Sequence, residues 1–304
     1  MSGTHKVQKV VLITGASDPA SLGAALAIAF LDAGYKVIAT CRSPLERIRW
    51  LEAKGCHVVE LTLDDRDSVE RGAAEVGRIT GGTLDILINN ASPNSRAPLL
   101  TYPMDEYRSM YEAIIFGPLR LIQLLSPSLI NTAARSDRDR TIIFNIGSAS
   151  RQIPVPWTGA YFPAKAALEL VSETLRHEMR SLNVDVFCLN IVSVRTVTYQ
   201  KEVHPFDSSS PNAAYYSDFF STMLKEAEAK IHPLVTTSGS PESAAQWIRT
   251  ECERSRRGGV LWLGKTPWLF RYIAPLMPKY IFDLLTLYLS PVNHVRPPER
   301  QKVD

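Results

Sequence analysis

The sequence predicts an α/β fold, in which a doubly wound parallel sheet carries helices on both faces. One observation is the run Lys-Val-Val-Leu-Ile at residues 9–13, because continuous β-branched apolar residues are typical of a strand buried on both faces. A second is that similar runs alternate with helical patterns along the chain. The third is that no internal repeat or low-complexity linker interrupts this alternation within the 304 residues.

Each element follows from its local pattern. The apolar helix at residues 22–34 has Ser21 as its expected N-cap and Gly34 as its stop. Strands are predicted at residues 9–13, 36–40, 57–61, 84–88, 141–146 and 184–189. Helices are predicted at residues 22–34, 44–54 and 67–79, from 104 to about 131, and from about 156 to 182. Right-handed crossovers between parallel strands then place helices on both faces of the sheet.

Two segments depart from this rhythm. The polar stretch at about residues 198–237 is a long insertion beside the carboxyl ends of strands, where a substrate lid belongs. The tail, residues 263–304, is rich in aromatic residues and leucine, but Pro275, Pro278 and charged residues divide it. It therefore falls short of the ~20 uninterrupted apolar residues that span a bilayer. We expect tail helices that either lie on an internal membrane or pack on the domain and cover the substrate pocket.

Bulk composition excludes several classes of protein. A net charge of +3 without a block of lysine and arginine argues against a nucleic-acid partner. The four cysteines lie far apart without a Cys-x-x-Cys pair, so we expect reduced thiols and a cytoplasmic location. The scattered histidines show no metal-ligand spacing, so no metal site is expected. The chain reaches a strand by Val10 without an apolar signal region, which supports neither secretion nor a transit peptide.

The residues with the clearest chemistry are Tyr161 and Lys165, which lie one helical turn apart, and Ser148, which precedes them in Gly-Ser-Ala-Ser at 147–150. A phenol with an ordinary pKa near ~10 exchanges a proton at neutral pH only if a nearby cation favours its phenolate. The i, i+4 spacing puts the lysine on the helix face of the tyrosine, while a hydroxyl from a strand end can hold a carbonyl against the phenol. Together they predict a proton-donor site, although a tyrosine and lysine alone would fit an amphipathic helix with a surface lysine.

Four motifs together carry a resemblance to a known family. They are Thr-Gly-Ala-Ser at 14–17, Asn-Asn-Ala at 89–91, Ser148, and Tyr161 with Lys165. In this order and spacing, the chain resembles the short-chain dehydrogenase/reductase family over residues 8 to 262. The segment 154–161 and the proline-broken aromatic tail are similar to fungal reductases of the 1-acyldihydroxyacetone-phosphate reductase type. The resemblance implies a single Rossmann-type, dinucleotide-binding catalytic domain over residues 1–262.

The resemblance also assigns roles to residues, with Ser148, Tyr161 and Lys165 as the catalytic groups. It implies cofactor contacts from Gly15, Ser17, Leu22, Gly23, Thr40, Arg42, Asp64, Asn90, Tyr161, Lys165, Val194 and Thr196. In sites selective for NAD an acid at the end of the second strand binds the ribose 2′-hydroxyl, whereas an arginine there binds the 2′-phosphate of NADP. This strand ends in Ala-Thr-Cys-Arg-Ser at 39–43, with no acid. NADP is therefore the predicted cofactor, although Arg42 could also be an ordinary surface arginine.

Several positions depart from the family pattern. The loop at residues 15–23 is long and lacks the middle glycine, and Asp18 within it would repel a phosphate if it pointed inward. Asp64 stands two residues beyond the position of the acid that contacts adenine. Ile114 aligns with the asparagine that holds a proton-relay water, and Ile-Val at 191–192 replaces Pro-Gly. We expect a lost or rerouted relay and an altered fit of the cofactor, while the proton-transfer groups remain.

Two functional hypotheses follow. The first is NADPH-dependent reduction of a carbonyl on a hydrophobic small molecule, such as a lipid-like ketone or a polyketide of secondary metabolism, with Tyr161 as proton donor. The second is a non-redox isomerase, cyclase or dehydratase, or a ligand-binding protein, that keeps the scaffold. By analogy with the family, the helices that carry Ile114 and Tyr161 predict a homo-oligomer, unless the tail covers one of those surfaces.

Overall fold

In the part of the chain that the structure describes, seven parallel strands form the central sheet. The structure is a computed structural model and describes residues 7–135, 140–149, 154–192, 194, 205–216, 220, 222, 224–226, 229, 238–254, 257–289 and 292. The strands are β1 (Val10–Ile13), β2 (Lys36–Cys41), β3 (His57–Glu60), β4 (Ile86–Asn89), β5 (Thr141–Ser148), β6 (Val184–Ile191) and β7 (Gly259–Leu263). They lie in the order β3-β2-β1-β4-β5-β6-β7, and every neighbouring pair is parallel. This order confirms the predicted doubly wound α/β fold.

Helices connect the strands and cover both faces of the sheet. They are α1 (Leu22–Asp32), α2 (Arg49–Glu52), α3 (Arg66–Thr80), α4 (Met104–Tyr111), α5 (Gly117–Ala133), α6 (Tyr161–Met179), α7 (Pro241–Glu253) and α8 (Lys279–Leu289). As predicted, Ser21 caps α1, and its Oγ accepts a hydrogen bond from the Ala24 N–H at 3.1 Å. A π-turn at Glu112–Phe116 joins α4 to α5. The sequence analysis did not identify α7 or β7.

Two predicted helix boundaries are wrong. The helix predicted at residues 44–54 is a 3₁₀ turn, Leu45–Ile48, followed by the single turn of α2. The helix predicted to begin at residue 156 begins at Tyr161 instead. Trp157 has φ +71°, a left-handed conformation that a helix cannot contain, so the chain turns before α6 begins.

Two apolar layers hold the sheet, one on each face. The β1 side chains alternate between the layers, with Val11 and Ile13 in one and Val10 and Leu12 in the other. All four are at most 5% exposed, as predicted for a strand buried on both faces. The four cysteines are buried and free.

One helical stretch among the described residues, Met104–Ala133, is long and apolar enough to cross a membrane by length and composition. Half of its most apolar segment is buried inside the protein, as for a helix that packs on a sheet.

Candidate active site

A cavity of about 530 Å³ lies at the carboxyl ends of the strands. The strand order reverses direction between β1 and β4, and such a switch point is where open α/β sheets bind ligands. The predicted site residues that line the cavity are Gly15, Ser17, Leu22, Arg42, Asp64, Asn90, Ser148, Tyr161, Lys165 and Val194. Gly23 and Thr40 lie behind its wall, and Thr196 lies outside the described residues.

Two glycines bring the first loop and α1 close to the sheet. Gly15 has φ +78°, and a Cβ there would stand 2.6 Å from the Ala91 Cα. A Cβ on Gly23 would stand 2.2 Å from the Gly15 carbonyl oxygen. Only glycine fits at either position, because real Cβ atoms do not approach other atoms so closely. Gly23 therefore contributes by packing α1 against the loop.

The acid of the long first loop, Asp18, lines the cavity and also contacts the backbone of its own loop. The Asp18 carboxylate accepts a hydrogen bond from the Ala20 N–H at 2.9 Å. Ser17 and Leu22 line the cavity beside the start of α1. The first N–H groups of a helix have no partner within that helix and carry its positive end, so this loop can bind a pyrophosphate without the missing glycine.

Two guanidinium groups lie beside the end of β2. Arg42 and Arg47 are both exposed and both line the cavity. The sequence analysis did not identify Arg47. The signal that could have identified it is a second cation in the connection between β2 and α2. Thr40 is fully buried, and its carbonyl accepts hydrogen bonds from the N–H groups of Gly15 and Ala16 at 3.1 and 2.9 Å. Thr40 thus shapes the loop, while the arginines present positive charge to a ligand.

The next loops complete this end of the cavity. The Asp64 carboxylate accepts a hydrogen bond from the Ser109 hydroxyl at 2.8 Å. The Asn90 side-chain amide donates to the Thr14 carbonyl at 2.8 Å and to the Gly15 carbonyl at 3.2 Å. Asn90 therefore ties the end of β4 to the first loop.

The predicted catalytic residues meet at the other end of the cavity. Ser148 ends β5, Tyr161 begins α6, and Lys165 follows one turn later. The Lys165 ammonium is 5.7 Å from the centroid of the Tyr161 ring and donates a hydrogen bond to the Ile146 carbonyl at 2.8 Å. Lys165 is 3% exposed, and burial lowers its pKa to about 8. It thus remains a cation at neutral pH, next to the phenol.

Beneath Lys165 lies a buried polar cluster that the sequence analysis did not find. The Asn190 amide donates a hydrogen bond to the Glu169 carboxylate, and both side chains are buried. The Cys188 thiol interacts electrostatically with both Glu169 and Lys165. Burial raises its pKa to about 12, Glu169 adds to the rise, and Lys165 opposes it. The sequence feature that could have indicated this cluster is Glu169, which follows Lys165 by one helical turn.

The walls around Tyr161 combine apolar and polar side chains and come from distant parts of the chain. Val155, Thr158 and Phe162 line the cavity near α6, and Phe270 reaches it from the tail. Arg96, 8% exposed, lines it from the loop after β4. Neither Arg96 nor Phe270 was singled out in the sequence, although a tail that covers the pocket was one of the two expected arrangements.

The structure separates two aromatic residues whose roles the sequence left open. Phe162 lines the cavity, whereas Trp157 packs in an aromatic cluster with Tyr216 and Phe220, with ring centroids 5.9 and 6.4 Å away. These two partners belong to the predicted lid. Much of the segment 198–237 lies outside the described residues; in the described part, Phe206 stacks on Phe220, and Tyr215 is exposed.

Comparison with known proteins decides the family. The pattern described as short chain dehydrogenase matches residues 9–205. The chain belongs to the short-chain dehydrogenase family. It is 31% identical over 293 residues to the short-chain dehydrogenase ptmH of Penicillium ochrochloron, covering 94% of this chain and 99% of that one. A solved short-chain dehydrogenase from Streptomyces avermitilis has a TM-score of 0.72 at 28% identity, covering 93% of this chain and 97% of its own.

A further relative bears on the predicted subgroup. The chain is 29% identical over 241 residues to the NADPH-dependent 1-acyldihydroxyacetone phosphate reductase of Schizosaccharomyces pombe, covering 79% of this chain and 78% of that protein. The predicted resemblance to fungal short-chain dehydrogenases, including this type of reductase, is thereby confirmed. Family membership supports an oxidoreductase over the non-redox alternatives.

As a short-chain dehydrogenase, the protein has an unusual residue at Ile114. This side chain is 1% exposed and packs in the apolar cluster around Trp157. The π-turn Glu112–Phe116 places a local change of helical geometry at this position. An isoleucine side chain has no polar atom with which to hold a water, so the backbone irregularity is present without the amide expected from the family.

Proposed function

We propose that this short-chain dehydrogenase reduces the carbonyl group of a hydrophobic small molecule with NADPH. The observation that carries this proposal is a single cavity with two chemically different ends. One end contains Ser148, Tyr161 and Lys165, which can donate a proton to a substrate. At the other end stand Arg42 and Arg47, which can bind a phosphate.

The residues at the nucleotide end favour NADPH over NADH. Arg42 and Arg47 supply two positive charges beside β2, and residues 39–43 contain no acid that would bind a free 2′-hydroxyl. The start of α1 and Ser17 can hold the pyrophosphate, and Asn90 and Val194 border the cavity farther in. A relative named as an NADPH-dependent reductase supports the same choice.

The other end provides the proton. NADPH, when bound, supplies the hydride that reduces the carbonyl carbon. The Tyr161 hydroxyl donates its proton to the carbonyl oxygen, and the Ser148 hydroxyl donates a hydrogen bond to the same oxygen. The Lys165 cation stabilises the phenolate that remains, because opposite charge close to a group favours its ionised form.

The walls of the cavity indicate the class of substrate. Val155, Phe162 and Phe270 offer apolar surface beside the proton donor. Such walls orient a ligand through burial of its apolar parts, while a few polar groups fix the reacting atom. A lipid-like or polyketide-derived ketone fits this lining.

The free cysteines fit a reducing compartment such as the cytoplasm.

Purified protein incubated with NADPH tests the proposal directly. We expect quenching of tryptophan fluorescence on NADPH binding, and loss of NADPH absorbance when a panel of apolar ketones is added. NADH should be used much less well. An absence of NADPH binding at millimolar concentration would contradict the proposal, whereas binding without turnover on any ketone would favour a non-redox use of Tyr161.

A further inference from the structure

The tail carries a concentration of exposed apolar side chains. Nine of the eighteen exposed large apolar residues in the described chain lie between Trp268 and Tyr288. They include Trp268 at 56% exposed, Leu276 at 82% and Leu284 at 63%. Large contiguous apolar patches are uncommon on monomeric soluble proteins and mark surfaces that bind a partner.

Helix α8 has its apolar face directed outward. Tyr280, Leu284, Leu287 and Tyr288 follow one another at helical spacing and are 64%, 63%, 40% and 67% exposed. Thr286, in contrast, is 9% exposed. A helix that only packed on the domain would bury its leucines and expose its threonine. The pattern therefore indicates that the outer face of α8 meets an apolar environment.

The chemistry of this surface favours a lipid bilayer as its partner. Tyrosine and tryptophan combine an apolar ring with a polar group, which suits the boundary between headgroups and acyl chains. Arg271, Lys279 and Asp283 are exposed on the same segment, which therefore carries a net charge of +1, and the Arg271 guanidinium lies 5.1 Å from the centroid of the Tyr272 ring. Anionic lipid headgroups would pair with the two cations of this positively charged segment.

We propose that residues 268–288 dock on an anionic lipid surface, with Trp268, Leu276 and Leu284 entering the headgroup boundary. The docking surface adjoins the cavity, because Phe270 belongs to the same turn, Leu269–Ile273, and lines the cavity wall. Docking would therefore place the Phe270 wall of the cavity beside the bilayer. The binding itself does not depend on which reaction occurs inside.

Co-sedimentation of the full chain with vesicles tests this proposal. We expect binding to vesicles of phosphatidylcholine mixed with phosphatidylserine, and much weaker binding to phosphatidylcholine alone. Leu284→Asp should weaken the binding roughly ten-fold or more, because burial of one leucine side chain in the bilayer strengthens membrane affinity by at least about that factor. Leu170→Asp is the matched control, since Leu170 is 71% exposed but lies on α6, and it should bind like the wild type.

Further variants distinguish the contribution of charge to vesicle binding from that of apolar contact. They also distinguish binding to lipid from association with a second copy of the chain. Arg271→Glu should reduce binding to the anionic vesicles only. Circular dichroism checks that each variant folds, and Trp268→Ala serves as a second apolar variant. The proposal is overturned if the wild type binds neither kind of vesicle, or binds both equally. It is also overturned if Leu284→Asp dissociates an oligomer in light scattering while vesicle binding stays unchanged.

Discussion

The ammonium of Lys165 donates a hydrogen bond to the backbone carbonyl of Ile146 at a distance of 2.8 Å. Ile146 lies two residues before Ser148 on β5, so one strand both presents the serine hydroxyl and fixes the lysine. Helix α6 then holds Tyr161 on the same side as Lys165. The relative positions of the three groups thus depend on the packing of α6 against β5.

Burial of Lys165 predicts a specific dependence of stability on pH. Its pKa is about 8 in the folded protein and near ~10.4 in an unfolded chain. Between these values the unfolded chain binds a proton that the folded protein does not, so this lysine makes stability rise with pH. The free energy of unfolding of the wild type, relative to Lys165→Met, should rise by ~1.4 kcal/mol per pH unit in this window.

Urea unfolding of both proteins across this range measures the effect. The difference between the two proteins is needed because buried thiols such as Cys188 also titrate, with the opposite sign. A constant difference between wild type and variant at every pH would show that the Lys165 pKa is not lowered in the folded state.

Replacement of Tyr161 by phenylalanine should remove the proton donor. We expect kcat to fall ~10²–10⁴-fold, the usual contribution of a positioned general acid. The affinity for NADPH, measured by fluorescence titration, should change little. Tyr111→Phe is the control, because Tyr111 packs in the cluster around Trp157 and should keep near wild-type turnover. Undiminished turnover in Tyr161→Phe would remove this residue from its proposed role.

Replacement of Arg42 by alanine should weaken the binding of NADPH and leave that of NADH unchanged. Loss of a charge-assisted hydrogen bond to a phosphate costs about 1.5–3 kcal/mol, or roughly 10-fold to 100-fold in affinity. Arg49→Ala is the control, because Arg49 is an exposed neighbour that pairs with Glu46 at 3.4 Å. Equal losses for the two cofactors would place Arg42 away from the 2′-phosphate.

Replacement of Gly23 by alanine should disturb both folding and cofactor binding. The new Cβ would meet the Gly15 carbonyl oxygen at 2.2 Å, and such overpacking typically costs about 1–3 kcal/mol. Because α1 would move away from the loop, the affinity for NADPH should also fall. Gly77→Ala in α3, with no atom within 4 Å of its new Cβ, should instead stabilise the helix by about 0.5–1 kcal/mol. Thermal unfolding and cofactor titration of both variants provide the comparison.

Local patterns predicted the strands well but misplaced the connections. The run at residues 9–13 is β1 because residues buried on both faces of a sheet must be apolar without interruption. The start of α6 was placed too early although Gly159 marks a break in the helical pattern. The left-handed backbone at Trp157, which packs on Tyr216, has no local sequence signal. The strand β7 was missed because a short apolar run does not by itself distinguish a strand, and its pairing with β6 is visible only in the structure.

The sequence by itself determined the fold class and the family, and it supplied the proposed proton-transfer groups, because the spacing of Ser148, Tyr161 and Lys165 is a property of one strand and one helix. Only the tertiary structure decided which distant residues share the cavity. Arg47, Arg96 and Phe270 line the cavity from three distant parts of the chain. No local sequence pattern shows that residues so far apart come together. The outward face of α8 was likewise decided in three dimensions, since a periodic apolar stripe shows that a face exists without showing what the face meets.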